Sequence, residues 1–152
     1  MKTYIDMDGV LFDFDSQYKS YTKRDLSTAL TSEEKQTLFK YNFFRLMKPN
    51  LQVFDAIKEQ FEGPFQVLSS AGKYNVGDVV DGKKMALTEH FPELAMDNPL
   101  FVTGSIDKAA YATTDGIPNT LIDDRMKVLN PWIAAGGIGI LYDINTDTFT
   151  KI

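Results

Sequence analysis

Short apolar runs alternate along this chain with longer stretches in which apolar residues recur every three or four positions. The runs read as strands and the longer stretches as helices. Tyr4-Ile5, after Lys2 and Thr3, is β-prone, and Phe14, Tyr18 and Tyr21 then fall on one helical face as a core-type aromatic stripe. Lys23 to Ala29 is a polar connection. Thr31-Ser32-Glu33-Glu34 carries a capping-box signature with Thr31 as N-cap. It predicts one helix to about Met47, bearing Leu38, Phe39, Phe43, Phe44 and Leu46, and ended by Lys48-Pro49-Asn50. Leu51 to Phe61 is a second amphipathic helix, closed by Gly63-Pro64.

Phe65 to Leu68 is a strand that stops at Ser69-Ser70-Ala71-Gly72, and a Gly- and Asp-rich loop runs on to about Gly82. Lys83 to Phe91 is predicted helical, with Pro92 as its end. Leu100-Phe101-Val102 is a strand, and a helix follows from about Asp107 to Ala112. Asn119 to Ile122 is a strand running into Asp123-Asp124-Arg125. Asn130-Pro131 reads as the N-cap and first position of a helix, Gly136-Gly137 as its stop, and Ile138 to Tyr142 as the last strand.

Strands alternating with helices predict an α/β fold with a doubly wound parallel sheet, Rossmann-like. The 152 residues suit a single domain. Within it, roughly residues 15–63 form a small helical cap inserted after the first strand. Ligands of such sheets gather outside the carboxyl ends of the strands. The polar residues concentrate there: Asp6 and Asp8, Ser69 and Ser70, Asp123 and Asp124. If the first strand persists through Met7, Asp6 and Asp8 project to one side. Two carboxylates held together repel unless a cation or shared proton offsets them, which points to a hard ion such as Mg²⁺.

Composition narrows the classes. With 43% apolar and 24% charged residues the chain is globular, and its net charge of −5 disfavours long nucleic acid. No cysteine is present and His90 is the only histidine, so thiolate and His-rich metal sites are excluded. No apolar run approaches the about 18 residues of a membrane span and no signal-peptide pattern opens the sequence, so a cytoplasmic protein is expected.

The strand-end inventory of two acidic pairs, a serine pair and a lysine suits Mg²⁺-dependent phosphoryl transfer. His90 reads as a surface or capping residue and Trp132 as core. Gly136 to Gly139 and Gly72-Lys73-Tyr74 lack the context of a phosphate-binding loop.

Asp6-Met7-Asp8-Gly9-Val10-Leu11, Ser69 after an apolar strand, a downstream lysine and Leu121-Ile122-Asp123-Asp124 resemble the four ordered motifs of the haloacid dehalogenase superfamily of phosphatases. Within it, Asp6 to Phe14, Asn42-Phe43-Phe44 leading to Pro49, and Leu121 to Arg125 are most similar to the 5′(3′)-deoxyribonucleotidases. The resemblance implies a Mg²⁺-dependent phosphomonoesterase acting on a nucleoside monophosphate through an aspartyl-phosphate. Asp6 would be the nucleophile and Asp8 the acid/base, its main-chain carbonyl also touching Mg²⁺. Ser69 and Ser70 would hold the phosphoryl group. Asp124 would ligate the metal, with Asp123 beside it. Phe14 would contact the nucleoside, and Phe43 and Phe44 either line the same pocket or belong to the core. Lys108 matches the family lysine best, with Lys83 and Lys84 as alternatives. Two features differ from the family: serine replaces the usual threonine, and the cap is short. A polynucleotide 3′-phosphatase, a sugar phosphatase, a receiver-like phosphoacceptor and a catalytically silent binding protein are the competing expectations. In receivers, however, the adjacent acidic pair follows the first strand rather than a late one.

Overall fold

The computed structural model describes residues 1–152. Its central strand, β1 (Thr3–Ile5), is followed by helices α1 (Phe14–Thr22), α2 (Ser32–Leu38), α3 (Tyr41–Arg45) and α4 (Val53–Gln60) before the chain returns as β2 (Phe65–Ser70). Helices α5 (Val76–His90) and α6 (Pro92–Met96) lead to β3 (Leu100–Val102). A 3-10 helix (Ser105–Tyr111), a small hairpin of β4 (Thr113–Thr114) and β5 (Ile117–Pro118), strand β6 (Thr120–Asp123), helix α7 (Met126–Ala134) and strands β7 (Ile138–Asp143) and β8 (Thr148–Lys151) complete it. Six strands form one sheet in the order β3-β2-β1-β6-β7-β8, parallel throughout except for β8. This is the expected α/β architecture with a mostly parallel, Rossmann-like sheet between helices. No helix is long and apolar enough to cross a membrane.

Side-chain alternation splits the central strands between two cores. Ile5, Val67 and Ile122 lie in the core shared with α3, α4 and α5, whereas Tyr4, Leu68 and Leu121 pack with Val128, Leu129 and Trp132. The register agrees, pairing Tyr4 with Leu121 and Ile5 with both Val67 and Ile122. Because both faces are covered, these strands read as continuous apolar runs. Phe43, Phe44, Met47, Val53, Phe54 and Ile57, from the stretch between β1 and β2, belong to the same core as Ile5.

The Thr31 capping box forms as expected, its hydroxyl accepting from Glu34 N and its own N–H donating to Glu34 Oε1. The single helix expected to reach Met47 is instead two. Asn75 donates its side-chain amide to the carbonyls of Gln36 and Phe39, closing α2 before α3 begins. The loop expected up to Gly82 is helical from Val76, because Gly82 lets α5 approach α3 closely: a Cβ there would overlap the Tyr41 carbonyl. Helix α5 ends at His90, just ahead of Pro92 as expected, and Pro92 also opens the separate helix α6. The helix expected at Asp107 is a 3-10 turn beginning at Ser105.

Asn130-Pro131 is not a helix start. Helix α7 begins at Met126 and carries Pro131 inside it, the burial of Val128, Leu129 and Trp132 outweighing the proline. Nor is β7 the last strand, since β8 pairs with it antiparallel.

Candidate active site

Strand β1 ends at Ile5, and Asp6 makes the last ladder bond, donating its N–H to Ile122 O at 3.0 Å. The chain then coils: Leu11 N and Phe12 N both donate to Met7 O at 3.0 Å, and Gly9 N donates to Phe12 O at 2.8 Å. Asn50 braces the turn from outside, its amide donating to Val10 O and to the Tyr142 hydroxyl. Met7 is fully buried. The extended conformation therefore does not persist through Met7, and Asp6 and Asp8 meet different partners.

Asp6 belongs to an inner cluster. Carboxylate oxygens of Asp6, Asp123 and Asp124 lie within 4.8 Å of one another, brought together by the parallel pairing of β1 with β6. Lys108 reaches in from the 3-10 helix, its Nζ donating to Asp6 Oδ1 at 2.8 Å and to Asp123 Oδ2 at 2.9 Å. Both oxygens of Asp123 have a protein donor, because Arg125 N donates to the other one. Asp124 differs, its Oδ1 being buried without a partner.

Asp8 belongs to an outer cluster with the second strand end. Lys83 Nζ donates to Asp8 Oδ2 at 3.0 Å, to Ser69 Oγ at 2.9 Å and to Ser70 O at 2.8 Å. Asp8 Oδ1 and Ser70 Oγ are buried and unpartnered. Lys84 is exposed.

Three carboxyl groups around one ammonium leave the inner cluster short of positive charge. Burial, followed by the charges of Asp6 and Asp123, pushes the Asp124 pKa up to about 8. Burial and the Asp6 charge raise Asp123 to about 6, against the pull of Lys108. Burial of Lys108 opposes its charge, but Asp6 and Asp123 outweigh that and hold it protonated. A hard divalent cation with oxygen ligands fits this donor set: Asp124 has an orphaned oxygen and Asp6 keeps one free of any protein donor.

No protein-family model matches the chain, and no curated protein matches it either. The site therefore stands on its own geometry.

Phe14, Phe43 and Phe44 do converge, with ring centroids 5.7 Å (Phe14–Phe43) and 5.0 Å (Phe43–Phe44) apart. Phe43 and Phe44 are buried in the core, whereas Phe14 is half-buried. Phe44 also lies beneath Lys83, its centroid 5.0 Å from Nζ. A cavity of about 840 Å³ opens between α1, α2 and α3 and is not lined by any of these carboxylates. His90 packs its ring edgewise on Phe12, and Trp132 is wholly buried, donating to Asn119 O and Ile138 O.

Of the three candidate lysines, Lys108 and Lys83 both reach the site, each in a different cluster, where the sequence offers them as alternatives. The missed signal lay in the helical register: Val79, Gly82, Lys83, Ala86 and Leu87 form the buried stripe of α5, so Lys83 occupies a core position. The loop assigned to residues before Gly82 hid that stripe.

Proposed function

We propose that the protein is a Mg²⁺-dependent phosphomonoester hydrolase of haloacid dehalogenase type, working through an aspartyl-phosphate on Asp6. The observation that carries this reading is the convergence of Asp6, Asp123 and Asp124 around Lys108, with an orphaned Asp124 oxygen in their midst. Asp6 and Asp124 would hold the ion, with the Asp8 main-chain carbonyl as a further oxygen and Asp123 behind them. When bound, Mg²⁺ supplies charge that offsets the phosphoryl oxygens and the crowded carboxylates.

The chain's own groups account for the rest. A free Asp6 oxygen attacks phosphorus as the bond to the leaving oxygen breaks. Asp8 gives that oxygen a proton, then takes one from the water that attacks the phosphoryl group and releases Asp6. Lys108 has a third N–H beyond the two bound to Asp6 and Asp123, and offers it to a phosphoryl oxygen. The unpartnered Ser70 hydroxyl, beside Ser69, offers another hydrogen bond.

The substrate class is the one the resemblance implies, and the aromatic cluster supports it. Phe14 would stack on a nucleoside base, with Phe43 and Phe44 forming the wall behind it, the residues between β1 and β2 serving as cap. A nucleoside monophosphate, probed in 5′ and 3′, ribo and deoxy forms, is the substrate class this favours. Hydrolysis of such nucleotides and of sugar phosphates with and without Mg²⁺ tests the reading. Mg²⁺-dependent release of phosphate from a nucleotide supports it, sugar phosphates preferred over every nucleotide would move the substrate class, and no turnover of any phosphomonoester would reject it.

A further inference from the structure

The two buried lysines differ in how many donors they have left. An ammonium carries three N–H groups. Lys108 spends two of them on the protein, whereas Lys83 spends all three, on Asp8 Oδ2, Ser69 Oγ and Ser70 O. Lys83 is 1% exposed, so no water replaces a bond that it gives up. A phosphoryl oxygen could recruit Lys83 only by breaking one of these bonds.

Its grip on Asp8 is one-sided. Lys83 holds Oδ2, while Oδ1 of the same carboxyl is buried with no partner at all. A carboxyl fixed through one oxygen presents the other in a set direction, as a proton donor to a leaving group requires. The position of Nζ is itself fixed from α3. Gly82, the residue before Lys83, lies so close to the Tyr41 carbonyl that no Cβ fits between them, and Phe44 of the same short helix sits 5.0 Å from Nζ.

We infer that Lys83 is the positioning residue of Asp8: it aims Asp8 Oδ1 at the leaving oxygen, and α3 sets its reach through the Gly82–Tyr41 contact and the Phe44 ring. This rests on the proposed hydrolase reading, in which Asp8 is the acid. The two lysines thereby divide the work, the spare donor of Lys108 serving the phosphoryl group and the saturated ammonium of Lys83 serving the acid.

The leaving group tells the two roles apart. An aryl phosphate expels a phenolate that needs little protonation, whereas an alkyl phosphate such as a nucleoside 5′-monophosphate expels an alkoxide that needs it. The values of kcat/KM, which report up to departure of the leaving group, are to be measured for 4-nitrophenyl phosphate and for the best nucleotide. The enzymes are wild type, Lys83→Gln, Lys83→Arg and Gly82→Ala, each checked for folding by thermal unfolding. A well-placed general acid contributes about 100-fold or more, so Lys83→Gln is expected to lower the nucleotide-to-aryl ratio by at least about 30-fold. Lys83→Arg should restore part of that ratio. Gly82→Ala keeps the lysine, forces α3 back and should lower the ratio in the same direction, which covers the case of an unfolded Lys83→Gln. Equal losses on both substrates would make Lys83 a phosphate ligand, and no loss on either would leave it a structural ion pair; either overturns the inference. Wild type inactive on both substrates would overturn the hydrolase reading and this one with it, a result distinct from active enzymes with a flat ratio.

Discussion

Gly9 and Asp124 share one space at the top of the sheet: a Cβ at position 9 would overlap the Asp124 carboxylate. Gly9 also has φ of +85°, a left-handed conformation that side chains disfavour. The turn after β1 and the acid after β6 are therefore built around each other. Glycine is required there for two independent reasons, backbone angle and the room that Asp124 occupies.

Gly9→Ala tests this directly. The backbone alone should cost about 1–2 kcal/mol, and the displaced Asp124 should weaken Mg²⁺ binding as well. Thermal unfolding with and without Mg²⁺ reads both effects. The variant is expected to be less stable and to lose most of the upward shift that Mg²⁺ gives the wild type; an unaltered shift would mean that Asp124 does not hold the ion.

Stability should depend on pH in an unusual direction. Asp124 and Asp123 have folded-state pKa values raised to about 8 and about 6. A raised carboxyl favours folding while protonated, so its contribution is full below the ordinary value near 3.8 and is lost as pH rises through the folded value. In EDTA the melting temperature should carry a downward component between about pH 4 and pH 8. Asp124→Asn should remove the larger part of that slope, and Mg²⁺ should flatten it. A wild-type profile with the same slope in Asp124→Asn would show that this carboxyl does not carry the strain.

Lys108 is the only cation inside the cluster of Asp6, Asp123 and Asp124. Removing one partner of a buried pair leaves charge uncompensated and costs about 3–5 kcal/mol. Lys108→Met is expected to lose stability on that scale in urea unfolding at neutral pH. Part of the loss should return as pH falls below about 6, where Asp123 protonates. A loss independent of pH would point to packing rather than charge.

Much of this site was legible from short-range signals. Asp6, Ser69, Ser70, Asp123 and Asp124 each end or directly follow an apolar run, and parallel pairing of those runs is enough to bring them to one edge. The capping box at Thr31 and the Gly136 stop, with φ of +98°, are local as well. What escaped was decided by distant partners. Gly77 and Gly82 lower helix propensity, yet α5 runs through both because Gly82 admits α3. Asn75 ends α2 from another part of the chain, a bond that no window around Phe39 could reveal. Lys83 could be named as a candidate, but its burial appears only once α5 is traced back to Val76. Strand β8 is short and mostly exposed, so it carries little alternation to read.

Trapping the covalent intermediate tests the central claim most directly. The protein would be mixed with 4-nitrophenyl phosphate and Mg²⁺, quenched in acid within a single turnover, and mapped by peptide mass spectrometry. The expected result is one phosphoryl group on the peptide carrying Asp6, absent from Asp6→Asn, which remains folded but inactive. Turnover with no phosphoryl group on that peptide, or near-normal turnover by Asp6→Asn, would contradict it.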